Sequence, residues 1–263
     1  MLSKSKRTVS TSYKGIFRKI TMVKVYLYRV KLLDPLFYAR EGLSGAFTPP
    51  YLHGTAINLA VKAALNLEPE KQPLLVSEHN GGRNIPRYSN SLVSNEFYFT
   101  PARLVSLLKY FSEITKGEND GYIFRTGMGE LFQAGRQAGT LNYLSPESIF
   151  EGYLIEKTPY DWPRIIRLGS FRGKAMLGLF ELEIIKSVDT LETASHPIDP
   201  LVTKVKRGIL INMFPYPLVE NARISHGIIA KGGNGSLHIV AFPDEWEPPV
   251  IEIVNLGKKS VVL

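Results

Sequence analysis

The chain has 263 residues, 44% of them hydrophobic and 21% charged, with a formal net charge of +8 and no cysteine. Such a composition belongs to a globular protein with enough chain to bury one large core. It excludes disulfides, thiolate metal sites and cysteine catalysis, and no apolar run approaches the roughly 20 residues that span a bilayer.

The net charge is less informative than it looks. Residues 1–21 carry Lys4, Lys6, Arg7, Lys14, Arg18 and Lys19 and no acid, which leaves 26 basic and 24 acidic side chains for the other 242 residues. The body is close to neutral, so the useful question is where its cations cluster. No continuous apolar stretch follows the basic start, so no secretory signal is expected. The lack of cysteine fits a cytoplasmic protein.

In chain order, residues 1–21 are rich in Ser, Thr and Lys and read as a flexible basic tail, with 22–263 as one domain. Val23, Val25 and Leu27 alternate with Lys24, Tyr26 and Tyr28, the period of a half-buried strand, which runs to about Leu33 and stops at Asp34-Pro35. A helix is expected over Tyr51–Leu67, with Leu52, Ala56, Leu59, Ala60 and Ala63 on its apolar face. Strand, loop and helix together open a βαβ unit.

Leu74–Val76 reads as a short strand and Gly81–Asn84 as a loop. Glu96–Thr100 is a strand, while Arg103–Thr115 fits helix and strand equally well. Gly127–Tyr143, with its glycines and Arg136, reads as an exposed loop or hairpin excursion. Glu147–Glu156 and Ala175–Ile185 are strands. Beyond His196 the candidates are Arg207–Met213, Arg223–Ala230, Ser236–Phe242 and Val250–Val254, with Lys231–Gly235 as a hairpin loop.

The chemistry concentrates in Trp162–Ala175, which holds Arg164, Arg167, Arg172 and Lys174 with no acid between them. Ile165, Ile166 and Leu168 read as the end of a buried strand, and Gly169 and Gly173 open a turn. Two readings stand for this stretch. One is a phosphate cradle of backbone N–H groups and cations; the other is a basic turn on a solvated face. Phe97–Arg103 is either a base-stacking strand ending in a cation or a run of core aromatics. Asn212–Arg223 is a proline-stiffened loop entering a strand.

No nucleotide-binding loop, zinc-protease motif or nucleophile elbow is present. His226 and His238 sit on the arms of an expected hairpin and are close enough in sequence to approach each other, without a ligand set for a metal. Asp189, Glu192 and Asp199 read as solvated. His53, at the start of the first helix beside Tyr51, is either a structural or RNA-positioning group or the base of a metal-independent RNA cleavage. No cofactor is expected.

Six segments taken in order carry a resemblance: Phe37–Glu41, Tyr51–His53, Thr100–Arg103, Ser145–Phe150, Pro163–Ala175 and Asn212–Arg223. The chain resembles the RAMP-type (RRM-like) subunit that sits at the 5′ handle of the guide RNA in subtype I-D CRISPR surveillance complexes. The resemblance implies an α+β fold: a ferredoxin-like (RRM-like) core with β-hairpin insertions and a β-rich C-terminal part. It implies a non-catalytic role in antiviral defence, in a ribonucleoprotein with guide CRISPR RNA, target DNA, backbone RAMP subunits and a large subunit as partners.

On that resemblance Arg164, Arg167, Arg172 and Lys174 position phosphates, and Gly169 and Gly173 admit the RNA backbone. Arg103, Arg136 and Arg223 are secondary cations, and Tyr51 and His53 stack on or hydrogen-bond handle bases. Two other classes stay open: a metal-independent endoribonuclease that processes precursor guide RNA, and a purely structural assembly subunit.

Overall fold

The structure, a computed structural model, describes residues 23–38, 46–67, 77–80, 83–86, 94–116, 138–188, 190–213 and 216–249. The expected tail, Leu74–Val76, Gly81-Gly82, Arg136, Asp189 and Val250–Val254 lie outside these residues.

The chain opens with β1 (Lys24–Leu32), the short strands β2 (Ala46–Phe47) and β3 (Tyr51–Leu52), and helix α1 (Gly54–Ala64). The antiparallel pair β4 (Ser77–Asn80) and β5 (Arg83–Pro86) precedes β6 (Phe97–Phe99) and β7 (Ala102–Leu104). Next come β8 (Tyr110–Lys116), β9 (Ala138–Leu144), β10 (Ile149–Glu156), β11 (Ile165–Leu168) and the 15-residue β12 (Gly173–Ser187). The C-terminal part adds β13 (Glu192–Thr193), β14 (Arg207–Ile211), β15 (Leu218–Ile224), β16 (Gly227–Lys231) and β17 (Leu237–Ala241).

β1 is the centre of the main sheet, with β10 on one side and β12 on the other, both antiparallel to it. β6 and β7 pair with the far edge of β10, again antiparallel. Thus β1 and β6 run parallel with β10 between them, so the expected βαβ opening is realised as a split unit. β8 and β9 form a separate antiparallel hairpin, joined by β2, and β13, β15 and β14 form a third sheet. Arg103–Thr115 is therefore strand on both sides of a break, and Arg223–Ala230 is the end of β15, a turn at Ser225-His226 and most of β16. Among the described residues no helix is long and apolar enough to cross a membrane.

The alternation of β1 sets up two faces. Tyr28, Val30 and Leu32 point into a core shared with Ile57 and Val61 of α1 and Phe150 of β10. Val25, one step out of phase, lies in a second core with Ile155, Leu182, Ile228, Phe242 and Trp246, so the C-terminal strands cover one end of the outer face. The other end of that face stays open: Ile165, Met176 and Phe180 are exposed. Phe97, Tyr98 and Phe99 are all buried, which makes this segment core rather than a stacking strand.

α1 is shorter than expected and buries a different stripe. His53 caps its start, with Nδ1 accepting from the Thr55 N–H at 3.1 Å. Its end is a left-handed cap: Asn66 has φ 54, Leu67 N–H donates to the Lys62 carbonyl and Asn66 N–H to that of Ala63. The core-facing side carries Ile57, Asn58, Val61 and Lys62, whereas Ala56, Leu59, Ala60 and Ala63 face outward in part or fully. The periodicity misleads because two polar residues point inward. Asn58 Nδ2 donates to the Phe99 carbonyl and Asn58 Oδ1 accepts from the Phe99 N–H, so this amide completes the ladder of β6. The Lys62 ammonium lies 6.0 Å over the Phe97 ring.

Candidate nucleic-acid interface

β11 and β12 form a hairpin in which Ile165 faces Met176, Arg167 faces Lys174 and Leu168 faces Gly173. Ile166 and Leu168 point into the core, while Arg167 and Lys174 stand side by side on the outer face. The expected buried strand is therefore buried on one face only, and Ile165 is 46% exposed. The connecting residues are Gly169, Ser170, Phe171 and Arg172, and both Gly169 (φ 75) and Arg172 (φ 52) have left-handed backbone. The turn is braced from within: Arg172 N–H donates to the Gly169 carbonyl, and Arg167 Nη1 donates to the Arg172 carbonyl.

Both glycines answer to the protein's own backbone. A Cβ on Gly169 would stand 2.7 Å from the Phe37 carbonyl oxygen, and one on Gly173 would stand 3.2 Å from that of Pro35. The Ser170 N–H donates to Phe37 O at 2.8 Å, and the Lys174 N–H to Asp34 Oδ2 at 2.8 Å. Instead of admitting a ligand's backbone, the two glycines dock the hairpin tip onto residues 34–37.

Beside the tip lies an open groove of about 520 Å³, bordered by Asp34, Phe111, Glu113, Tyr143, Arg167, Phe171 and Arg172. Phe171 is 63% exposed and stacks on Phe37 at 5.7 Å between ring centroids. Phe111, 54% exposed, pairs across the β8–β9 ladder with Tyr143, whose ring is 6.0 Å from Phe171. The Tyr143 hydroxyl donates to Glu113 Oε2 at 2.8 Å; partial burial and this carboxylate push its pKa up to about 12.

Other cations of the outer sheet face are neutralised in place: Arg29 pairs with Glu151 at 2.6 Å, Arg103 with Glu220 at 3.1 Å, and Lys31 with Glu147. Arg164, Arg167, Arg172 and Lys174 are all exposed and have no carboxylate partner among the described residues. They do not form one patch. Arg164 stands opposite Leu177, so the alternation puts it on the α1 side of the hairpin, away from Arg167 and Lys174. Exposed aromatics next to unpaired cations supply what single-stranded nucleic acid requires: ring faces for bases and charge for phosphates.

The remaining expected residues are scattered. Tyr51 faces Arg103 in the β3–β7 ladder, at the far side of the sheet. Arg223 lies in the third sheet opposite Arg207, its Nη2 donating to the Leu191 carbonyl. Arg136 lies outside the described residues. His53 is only 1% exposed and packs edge-on against the Tyr216 ring at 4.5 Å. Burial pulls its pKa down to about 3. The burial corrects the expectation that it touches handle bases: its place is a helix cap beneath the surface.

Two other expectations are corrected by packing. His226 and His238 do not meet, because Ala230 is the partner of His238 in the ladder, four residues along from His226. His226 instead bonds the Trp246 carbonyl, and His238 bridges Tyr153 and Ser236. Asp199 is buried, not solvated, and accepts from the Tyr216 hydroxyl at 2.5 Å. Sequence reasoning does not single out Phe171, Phe111, Tyr143 and Glu113. The signal for Phe171 lay in plain view, an aromatic among four cations in a turn; that for Phe111 and Glu113 required choosing strand over helix for 103–115.

Among curated proteins no relative matches this sequence. The family model of the type I-D CRISPR-associated protein Cas5/Csc1 matches residues 23–245, from the start of β1 to beyond β17. The match takes in the central sheet, the basic hairpin and the C-terminal strands together, and the chain belongs to the type I-D CRISPR-associated Cas5/Csc1 family.

Proposed function

We propose that this chain is the subunit of a subtype I-D CRISPR surveillance complex that holds the 5′ handle of the guide RNA and does not cut it. In this reading it caps the filament of backbone subunits and, beside the large subunit, faces the PAM-proximal target duplex. The observation that carries the reading is the β11–β12 hairpin, whose four exposed cations lack carboxylate partners among the described residues and two of which, Arg167 and Arg172, border an aromatic groove. Cations without carboxylate partners are available to phosphates, and release of counterions from the RNA then drives binding.

The sheet order supports a ferredoxin-like core. β12, β1, β10 and β6/β7 lie side by side, with α1 between β1 and β6. The connection from β10 to β12 carries the basic hairpin where such a core has its second helix. The near-neutral body accords with a subunit that shares its surface between RNA and protein neighbours.

The endoribonuclease reading is less well supported. Its histidine, His53, is enclosed, holds a backbone N–H through Nδ1 and stays neutral far below physiological pH. Incubation of the purified chain with repeat RNA in EDTA is the test. Salt-dependent binding without a specific cut is expected; a single-site cut that Arg167→Ala/Lys174→Ala leaves intact would overturn the reading.

A further inference from the structure

The groove beside the hairpin tip carries both signs of charge without neutralising them. Glu113 and Asp34 line it together with Arg167 and Arg172, yet no ion pair joins the two sets among the described residues. Each acid is instead fixed through one oxygen: Glu113 by the Tyr143 hydroxyl on Oε2, Asp34 by the Lys174 N–H on Oδ2. The second oxygen of each has no hydrogen-bond partner in the described structure. Two exposed rings, Phe111 and Phe171, face this space, and the Tyr143 ring lies within 6.1 Å of both.

A surface that only attracted phosphates would gain nothing from carboxylates, which repel them. A surface that only docked an acidic protein would gain nothing from them either. A nucleobase resolves the contradiction. Its faces stack on aromatic rings, its exocyclic amino group donates to a carboxylate, and the phosphates flanking it meet arginines.

Resting on the RNA-holding reading above, we infer that the groove is a base-selective subsite. It takes one unstacked nucleotide of single-stranded RNA whose base bears an exocyclic amino group. Phe171 and Phe111 hold the ring, the free oxygen of Glu113 accepts the amino proton, and Arg167 and Arg172 hold the neighbouring phosphates. Uracil offers a carbonyl where cytosine offers the amino group, so the site disfavours it: the carboxylate then faces an acceptor with no proton between them.

The experiment compares decacytidine with decauridine, two single strands of equal charge and base size, for binding to the full chain at one salt concentration. Wild type is expected to bind decacytidine about tenfold more tightly, the discrimination of one good base contact. Glu113→Gln brings the ratio close to one, because the amide both donates and accepts. Phe171→Ala, at an exposed turn position, weakens both strands by on the order of tenfold, the effect of one lost stacking partner. Equal wild-type affinity for the two strands, still lowered by Arg167→Ala/Lys174→Ala, overturns base selection and leaves the RNA-holding reading standing. Binding of neither strand overturns both.

Discussion

The carbonyl oxygen of Phe37 accepts the Ser170 N–H at 2.8 Å and stands 2.7 Å from where a Cβ of Gly169 would be. One atom thus ties the basic hairpin to the segment after β1 and forbids a side chain at its first turn residue. Gly169 also has φ 75, which disfavours β-branched residues in particular. Gly169→Val is therefore expected to cost about 1–3 kcal/mol in backbone strain, with the clash in addition. The melting temperature falls, and lowering the salt does not restore RNA binding.

The charge variant separates from this. Arg167 and Lys174 face each other across the hairpin and are exposed, so Arg167→Ala/Lys174→Ala leaves the melting temperature close to wild type. With about 0.7 counterions released per phosphate on single strands, the log–log salt dependence of RNA binding becomes shallower by about 1.4. An unchanged slope would mean that neither cation touches a phosphate.

Asn58 tests the helix–sheet joint. Its amide holds both the N–H (2.9 Å) and the carbonyl (2.7 Å) of Phe99, all of them buried. Asn58→Ala leaves two buried backbone groups without partners and is expected to cost about 3 kcal/mol in urea denaturation. Asn58→Asp keeps only an acceptor and is expected to lose stability as well. A cost below about 0.5 kcal/mol for the alanine variant would show that β6 does not depend on this amide.

His53 and His196 give the stability a pH dependence with a definite sign. Burial pulls their pKa values down to about 3 and about 4, below the value near 6.5 of an unfolded histidine. The unfolded chain therefore binds more protons between these limits, so stability is fully present above about pH 6.5 and falls as the pH drops below it. From pH 7 to pH 5 each histidine contributes a loss of up to about 2 kcal/mol. His53→Asn keeps a capping acceptor at the start of α1 and removes the titration, so its loss over that range is smaller than wild type by up to that amount. Equal losses would place His53 in contact with water.

How much of this was legible in the sequence depends on which force decided each element. β1, β10 and β12 follow alternation because successive residues go to opposite faces, Tyr28, Leu154 and Leu177 to one core and Val25, Ile155 and Leu182 to the other, and alternation is written in residue order. α1 is legible, but its buried stripe is not: Asn58 and Lys62 point inward to satisfy Phe99 and cover Phe97, partners distant in sequence. The ambiguity of 103–115 has a similar cause, since Val105, Leu107 and Leu108 are exposed between two strands and add apolar residues without a core to pack into. The basic stretch was visible as composition. That its glycines serve Phe37 and Pro35, and that Phe111, Glu113 and Tyr143 come from the β8–β9 hairpin to complete a groove, are facts of tertiary contact. No spacing encodes them.

The most direct measurement is photocrosslinking of the assembled subtype I-D complex carrying its guide RNA, followed by mapping of the crosslinked peptides and nucleotides. Crosslinks are expected from Phe171 and from Phe111 or Tyr143 to nucleotides at the 5′ end of the guide, with loss of the Phe171 crosslink in Arg167→Ala/Lys174→Ala. Guide crosslinks confined to the third sheet around Arg207 and Arg223, with none to the β11–β12 hairpin, would contradict it.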